Sequence, residues 1–357
     1  MKTKLWHKDF SWDGTSFHAS EEIIDFAGLQ YPELKGFLTE WFSDAGFIQM
    51  KTSGSTGIPK TIKLRREHMM NSAKATALYF GLEAGARALL CLPLSYIAGR
   101  MMLVRSIIMG WNLDTIEASS KPNIPKGVRY DFSAMVPLQL HHCYDLIENI
   151  GTLIVGGGEV LPENLNKISK LRTKIYATYG MTETVSHIAL SPLNEAAGNE
   201  NKEGLYTALP GVDLTVDKRQ CLVIRAPQIC SDEVVTNDIV DLISTDSFKW
   251  LARYDHVINS GGIKLFPELI EKKLHKVIHT PFFLAAFKDK ILGQRLVMLV
   301  EGAKIPDLLK DLKDFQKKHS DSISLYEIPK EIYFLPSFDY TETGKIQRKL
   351  TLEQISV

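Results

Sequence analysis

A short segment rich in glycine and hydroxyl groups has the composition of a phosphate-binding loop. It comprises Thr52, Ser53, Gly54, Ser55, Thr56, Gly57, Ile58, Pro59 and Lys60. Glycines let the backbone approach a ligand, hydroxyl and amide groups donate hydrogen bonds, and the lysine supplies a point charge. Its spacing differs from that of a Walker loop, and a strand pattern follows it instead of a helix. Taken alone, the segment fits both a polyphosphate cradle and an ordinary surface turn.

Two further segments carry groups that suit a nucleotide. The first, Tyr179 to Thr184, contains Gly180, Thr182 and Glu183. A single carboxylate that faces bound phosphates is a typical ligand of Mg²⁺, although a turn with a solvated glutamate has the same composition. The second segment contains Gly157, Gly158 and Glu159. Its bare backbone could admit a flat ring, or it could be only a tight turn.

The elements that must position these segments alternate between strand and helix patterns. Strand patterns cover 87–92, 131–135, 152–155 and 174–177, and helical patterns such as 66–80 and 97–110 lie between strands. This alternation predicts a mostly parallel sheet with helices on its faces. Ligands of such sheets bind beyond the carboxyl ends of the strands. We therefore expect residues 52–60, 156–158 and 179–184, each of which follows a strand pattern, to converge on one site.

The C-terminal part of the chain has a different pattern. Short strands and turns begin near residue 204, and a compact α+β pattern follows Arg253. The sequence therefore predicts an α/β protein with a large domain over 1–253 and a small C-terminal α+β domain over 254–357.

Composition excludes several classes of protein. The 42 Lys and Arg residues balance the 42 Asp and Glu residues, so no bulk charge attracts nucleic acid or an anionic membrane. The four cysteines have neither zinc-binding nor disulfide-framework spacing. No apolar stretch reaches membrane-spanning length, and the N-terminus lacks a signal-peptide pattern. We expect a cytoplasmic protein with reduced thiols, no nucleic-acid partner and no membrane insertion.

Together and in this order, the motifs resemble those of the adenylate-forming superfamily, which includes acyl- and aryl-CoA ligases. The resemblance spans about residues 47 to 350 and includes Arg253, Asp255, Gly261 and Gly262, and the segment around Lys345. It implies that a carboxylic acid attacks the α-phosphate of ATP, and that a thiol then displaces AMP from the acyl-adenylate. ATP, Mg²⁺ and coenzyme A are the implied cofactors and co-substrates, and a homodimer is compatible with the family.

The resemblance also implies a role for each matching position. Thr52, Ser53, Ser55, Thr56 and Lys60, with Gly54 and Gly57, would hold the β- and γ-phosphates; Thr182 would touch the α-phosphate and Glu183 would bind Mg²⁺. Gly157, Gly158, Glu159, Tyr179 and Gly180 would frame the adenine, and Asp238 with Arg253 would bind the ribose. Lys345 would act in adenylation, Asp255 would be the hinge of the small domain, and Gly261 and Gly262 would line the thiol tunnel.

Within the superfamily, the segment 92–105 and Ser260 to Gly262 resemble the o-succinylbenzoate–CoA ligases of menaquinone biosynthesis. Relatives commonly have Phe-His at Ser95 and Tyr96, Thr-Gly-Asp at 236–238 and a longer segment before the phosphate loop. Another aryl- or acyl-CoA ligase, an adenylating enzyme that loads a carrier protein, and a nucleotide-binding module without turnover remain as alternatives.

A dicarboxylic aryl acid needs a cation or several donors for the carboxylate that is not activated. Arg105, within an apolar helical pattern, is the candidate, with Arg100 as the alternate; either could instead cover apolar surface with its stem. Tyr96 could stack on the aromatic ring or fill core. His187 could line the acid pocket or be a satisfied buried histidine.

Overall fold

The computed structural model describes residues 5–51, 61–158, 160, 165, 167–196, 204–341 and 346–355. The chain divides into two compact units. The first unit contains residues 1–215, 223–234 and 243–248, and the second contains 216–222, 235–242 and 249–357.

The first unit contains most of the strands and helices. Its strands are β1 (Ser11–Trp12), β2 (Thr15–Ser16), β3 (Phe47–Lys51), β4 (Thr61–Arg65), β5 (Arg87–Leu90), β6 (Asn112–Thr115), β7 (Tyr130–Met135), β8 (Ile150–Val155), β9 (Lys174–Gly180), β10 (His187–Pro192) and β11 (Leu205–Ala208). Its described helices are α1 (Ser20–Gln30), α2 (Pro32–Phe42), α3 (Arg66–Phe80), α4 (Ile97–Met109), α5 (Pro137–His142), α6 (Tyr144–Ile147) and α7 (Leu193–Ala196). Four more strands contain residues of both units: β12 (Asp213–Val216), β13 (Cys221–Arg225), β14 (Val234–Ser244) and β15 (Ser247–Arg253).

The main sheet of the first unit is parallel at its centre. Its strand order is β11-β10-β9-β8-β7-β5-β6-β1-β2. Each pair from β9 through β6 is parallel, as is the pair β6–β1, whereas β10 and β11 continue the sheet in antiparallel fashion. The predicted parallel, helix-flanked sheet is therefore confirmed.

The strands on either side of residues 52–60 do not belong to this parallel sheet. β3 and β4 form a separate antiparallel pair in which Lys51 is opposite Thr61. Residues 156–158 and 179–184 follow neighbouring parallel strands, as expected, whereas β3, which precedes residues 52–60, is paired in a hairpin; residues 52–60 themselves lie outside the described residues. The sequence pattern could not reveal this difference because a strand in a hairpin and a strand in a parallel sheet share the same period.

Helices α3 and α4 carry the side chains on which the candidate site depends. α4 is apolar along nearly its whole length, and its residues 101–107 are buried. Gly99 lies in its first turn, where a Cβ atom would come within 2.3 Å of the carbonyl oxygen of Pro93. The absence of a side chain at Gly99 thus lets the beginning of α4 pack directly against the end of the preceding loop.

One predicted helix is divided in the structure. The pattern over 138–148 predicts a single helix, but α5 and α6 are separated at Cys143, whose φ of −120° and ψ of 17° are not helical. Cys143 is buried in the core between the sheet and these helices. Packing of its side chain therefore overrides the continuous helical pattern at this position.

The second unit contains a small antiparallel sheet with one parallel strand. Its strands are β16 (Ile258–Ser260), β17 (Ile263–Leu265), β18 (Phe282–Asp289), β19 (Gly293–Glu301) and β20 (Glu331–Leu335), in the order β17-β16-β19-β18 with β20 parallel to β19. Its described helices are α8 (Pro267–Leu274), α9 (Leu308–Lys318) and α10 (Arg348–Glu353). Apolar cores lie on both faces of the sheet, and α8 and α9 contribute to one of them.

A salt-bridged cluster fastens α10 to α8 in this unit. Arg348 Nη2 donates to Glu271 Oε2 at 2.7 Å, and Glu271 Oε1 accepts from the amide of Leu284 at 2.7 Å. Burial raises the pKa of Glu271, against the opposing effect of the Arg348 charge.

Among the described residues, no helix is both long enough and apolar enough to cross a bilayer.

Candidate active site

A buried arginine lies at the centre of the candidate acid-binding region. Arg105, on α4, is 2% exposed. Its Nε donates to Thr76 Oγ1 at 3.2 Å, its Nη2 donates to Ser186 Oγ at 2.6 Å, and its Nη1 lies 3.8 Å from Met102 Sδ. All three partners are neutral, so these contacts orient the guanidinium without balancing its charge.

His187 closes a ring of polar contacts around this arginine. Its Nε2 lies 3.4 Å from Thr76 Oγ1, and its Nδ1 lies 3.4 Å from Ser186 Oγ. Because the Thr76 hydroxyl already donates to the carbonyl of Ser72 at 3.0 Å, we assign the imidazole proton to Nε2. His187 Nδ1 then accepts from Ser186, whose oxygen in turn accepts from Arg105.

Within this ring of polar contacts, Arg105 is charged and His187 is neutral. Burial lowers the pKa of Arg105 to about 10, which leaves the guanidinium charged at neutral pH. Burial, with the nearby charge of Arg105, lowers the pKa of His187 well below its usual value and keeps the imidazole neutral. In the part of the chain that the structure describes, no carboxylate pairs with Arg105. The site is therefore suited to receive an anion.

A strained turn brings Ser186 and His187 to the arginine. The amide of Ser186 donates to the carbonyl of Thr184 at 2.6 Å, and Val185 between them has a φ of 65°. This three-residue turn is unfavourable for a β-branched residue, yet Val185 is buried. Such strain persists only where the surrounding structure enforces it.

Gly180 makes close packing of the same turn possible. A Cβ atom at this position would lie 2.3 Å from the carbonyl oxygen of Ser186 and 2.6 Å from the Cα atom of His187. The pairing of β9 with β10 also shifts register between His187 and Ala189. The glycine and the register shift together re-aim His187 toward α3 and α4.

The predicted adenine-binding residues follow two adjacent parallel strands. Gly157 and Gly158 come after β8, and Tyr179 and Gly180 end β9, which pairs with β8. Thr178 Oγ1 donates to the carbonyl of Val155 at 3.3 Å and joins the two strand ends. The ring of Tyr179 packs edge-on against Phe248 at 5.1 Å between centroids. These glycines and this tyrosine thus lie at the same edge of the sheet.

The predicted phosphate and metal ligands of the same turn differ in exposure. Thr182 is half-buried, and Glu183 is exposed. Among the described residues, no group of three or more His, Cys, Asp or Glu side chains could hold a metal ion. Mg²⁺ fits Glu183 nonetheless, because this ion commonly takes one or two carboxylates and completes its shell with water and phosphate oxygens.

The predicted ribose-binding pair lies in the second unit. Asp238 is buried, and its Oδ1 accepts from Trp250 Nε1 at 3.2 Å and from Arg253 Nη1 at 3.4 Å. Arg253 Nε also donates to Asp255 Oδ1 at 3.1 Å. Burial alone would lower the pKa of Arg253, but the carboxylates of Asp238 and Asp255 outweigh this effect, so the pKa is raised. Arg253 therefore joins the candidate ribose ligand to the candidate hinge residue.

Gly261 and Gly262 form the turn between β16 and β17. Both have positive φ, 58° and 82°, and the amide of Gly261 donates to the carbonyl of Leu292 at 2.9 Å. This bond fixes the turn against the β18–β19 hairpin of the same unit.

Two other candidates for the acid pocket, Tyr96 and Arg100, lie at the beginning of α4 and have different environments. Tyr96 is half-buried directly before the helix. Arg100 Nε donates to the carbonyl of Leu94 at 3.0 Å, and its guanidinium lies 5.0 Å from the centre of the Phe37 ring. Arg100 thus stabilises the helix start, which leaves Arg105 as the better candidate for an acid.

Other predicted site residues lie outside the described residues: Thr52, Ser53, Gly54, Ser55, Thr56, Gly57, Lys60, Glu159 and Lys345.

Three contributors to these clusters were not predicted from the sequence. Thr76 follows Ser72 by one helical turn on the buried face of α3, and this polar pair was a usable signal. Ser186 adjoins His187, and Trp250 lies three residues before Arg253. Their hydrogen bonds depend on contacts between distant segments, which no local pattern specifies.

Comparison with known proteins identifies the family. The model of the AMP-binding enzyme family matches residues 44–220. The structure of an acyl-CoA synthetase (AMP-forming)/AMP-acid ligase II-like protein from Dyadobacter fermentans is 36% identical and matches with a TM-score of 0.59. The match covers 92% of this chain and 95% of that chain. The chain belongs to the AMP-binding enzyme family. The predicted membership among adenylate-forming ligases, and the corresponding fold, are therefore confirmed.

Two further proteins match this chain at lower sequence identity. The 2-succinylbenzoate–CoA ligase of Enterococcus faecalis is 24% identical over 330 residues, which cover 84% of this chain and 67% of that protein. The o-succinylbenzoate coenzyme A synthetase of Bacillus subtilis, solved in complex with ATP and magnesium ion, has a TM-score of 0.72 at 18% identity. That match covers 94% of this chain and 82% of the synthetase chain, and it supports the shared fold.

Proposed function

We propose that the protein is an ATP-dependent ligase that activates o-succinylbenzoate as its acyl-adenylate and transfers it to coenzyme A. Relatives named for this activity support the choice of acid. The observation that carries the proposal is the environment of Arg105.

Arg105 provides what a second carboxylate needs. A buried guanidinium without an acidic partner in the described part of the chain is costly, and a substrate carboxylate would offset that cost. Thr76 and Ser186 hold the guanidinium in place before the acid binds. Neutral His187 adds no competing charge. A dicarboxylic aryl acid would thus bind through the carboxylate that does not react, with Tyr96 against its ring.

The nucleotide would be held by the residues that the family resemblance assigns to it. In this proposal Gly157, Gly158, Glu159, Tyr179 and Gly180 frame the adenine, and Asp238 with Arg253 binds the ribose. Thr182 would touch the α-phosphate. The other phosphate groups would be bound by the hydroxyl-rich loop, through Thr52, Ser53, Gly54, Ser55, Thr56, Gly57 and Lys60. Glu183 would hold Mg²⁺, which neutralises phosphate charge when bound.

The first step forms a bond between a carboxylate oxygen of the acid and the α-phosphorus of ATP, and pyrophosphate leaves. Lys345 would stabilise the negative charge that concentrates on the α-phosphate in this step. In the second step the thiol of coenzyme A attacks the acyl carbon and AMP leaves. Asp255 would be the hinge of a small domain over 254–357, and Gly261 and Gly262 would line the path of the thiol.

The proposal is tested by following pyrophosphate release and thioester formation with ATP, Mg²⁺ and coenzyme A. The acids are o-succinylbenzoate and two analogues, 3-benzoylpropionate without the ring carboxylate and 2-butanoylbenzoate without the chain carboxylate. We expect turnover of o-succinylbenzoate and weaker turnover of only one analogue, the one that keeps the reacting carboxylate. No pyrophosphate release with o-succinylbenzoate would contradict this choice of acid.

A further inference from the structure

Asp238 is held by more groups than the proposed ribose interaction explains. It is 6% exposed, and one of its oxygens, Oδ1, accepts both from Trp250 Nε1 and from Arg253 Nη1. Two donors on one oxygen fix the rotation of a carboxylate, which a single donor does not. Arg253 is shared with Asp255, whereas Trp250 is an uncharged donor whose geometry depends on a rigid ring.

The backbone that carries Asp238 is also fixed by hydrogen bonds. The amide of Asp238 donates to Thr236 Oγ1 at 3.0 Å. Arg219 Nη1 donates to Asn237 Oδ1 at 2.9 Å, and its Nη2 donates to the carbonyl of Thr236 at 3.0 Å. Asp217 Oδ2 in turn accepts from Arg219 Nε at 2.7 Å. The side chain of Asn237 thus helps to anchor the segment.

Recognition of two vicinal hydroxyl groups is sensitive to the orientation of the acceptor. A carboxylate that can rotate must lose that freedom on binding, and a misplaced acceptor makes poorer hydrogen bonds. Because the peptide segment is already anchored through Arg219, the remaining freedom of Asp238 is mainly that of its own side chain. The indole of Trp250 restricts this freedom without adding a charge.

We infer that Trp250 is a positioning residue that orients the Asp238 carboxylate for the hydroxyl groups of a nucleotide ribose. This inference rests on the proposed role of Asp238 in binding the nucleotide. It adds the prediction that discrimination between ribose and dideoxyribose depends on an indole N–H that does not itself touch the sugar.

The test compares wild-type protein and Trp250→Phe in calorimetric titrations with AMP and with 2′,3′-dideoxy-AMP. The phenylalanine keeps an aromatic ring and removes only the N–H donor and part of the ring area. We expect the Kd of AMP to rise about five- to tenfold and that of dideoxy-AMP to stay unchanged, because the lost bond acts through the hydroxyl groups. Unchanged binding of dideoxy-AMP also shows that the variant is folded.

Trp41→Phe is the matched control, since Trp41 Nε1 donates to the carbonyl of Leu5 at 3.1 Å in the first unit. It should leave the preference for AMP over dideoxy-AMP unchanged. An equal loss of affinity for both nucleotides in Trp250→Phe, or no loss for either, would overturn the positioning role. If wild-type protein binds AMP and dideoxy-AMP equally, the ribose role proposed for Asp238 fails and the positioning role fails with it.

Discussion

Arg105 Nη2 lies 2.6 Å from Ser186 Oγ, so a buried cation is bound to a neutral hydroxyl that also contacts a neutral imidazole. The contact joins helix α4 to the turn that follows Glu183. In the proposed function, this turn contributes to both the metal ligand and the acid pocket. Changes at Ser186 should therefore affect acid binding as well as stability.

Replacing Ser186 with alanine should remove the shortest hydrogen bond of the buried guanidinium. We expect the free energy of unfolding to fall by about 1 to 3 kcal/mol, and the KM for the acid to rise while that for ATP stays unchanged. Denaturant unfolding and steady-state kinetics measure the two effects. Ser72→Ala is the matched control, because the buried Ser72 hydroxyl has no hydrogen-bond partner among the described residues. Equal effects of both variants would contradict a specific role of Ser186.

Gly180→Ala should distort the turn that carries Ser186 and His187. Its Cβ atom would come within 2.3 Å of the Ser186 carbonyl oxygen, so backbone must move, and we expect a loss of about 1 to 3 kcal/mol in unfolding free energy. In Gly158→Ala the nearest atom is Pro137 Cγ at 3.6 Å, an ordinary contact, and stability should change little. Denaturant unfolding of the two variants compares them directly. Similar stability for both variants would show that the turn accommodates a Cβ atom at position 180 at little cost.

Stability should depend on pH through His187. Its pKa is lowered in the folded protein, so below pH 6.5 the imidazole is protonated in the unfolded chain but stays neutral in the folded protein. Stability from this group is therefore present above pH 6.5 and lost as the pH falls. Between pH 7.5 and 5.5, the wild type should lose about 1.4 kcal/mol more than His187→Gln. Identical pH dependence of the two proteins in urea unfolding would show that folding does not lower the pKa of His187.

Local patterns could reveal the fold class and the type of chemistry, because they depend on period and residue type. The alternation of strands and helices gives the parallel sheet, and Arg105 was noticeable as a charge within an apolar helix. The hairpin of β3 and β4 was missed because pairing partners are not encoded in a strand's own period. The break at Cys143 was missed because core packing, and not a glycine or proline, ends the helix there.

The contacts of the site were harder to predict than its charged members. The pairs Arg105–Thr76 and Arg105–Ser186 are separated by 29 and 81 residues in the sequence. The positive φ of Val185 contradicts its residue type, and only the surrounding fold explains it. Neutral side chains such as Ser186 and Trp250 give no signal until the fold brings a charged side chain beside them.

Lys345 should act in only one of the two half-reactions. We expect Lys345→Ala to lose most acyl-adenylate formation, because the charge developing at the α-phosphate would lack its cation. Reaction of preformed acyl-adenylate with coenzyme A should be retained. Single-turnover assays of each half-reaction measure this difference, and Lys349→Ala, four residues further along the sequence, is the control for loss of a positive charge. Equal loss in both half-reactions would contradict the role assigned to Lys345.

The pairing of Arg105 with the second carboxylate of the acid is tested most directly by Arg105→Met, with Arg100→Met as the matched control on the same helix. Each is assayed with o-succinylbenzoate and with the one-carboxylate analogue that wild-type protein activates. We expect Arg105→Met to lower kcat/KM for o-succinylbenzoate about 10- to 100-fold and to leave that for the analogue nearly unchanged. Arg100→Met should not alter the ratio between the two acids. An equal decrease for both acids in Arg105→Met would show that Arg105 supports the fold and does not recognise the substrate.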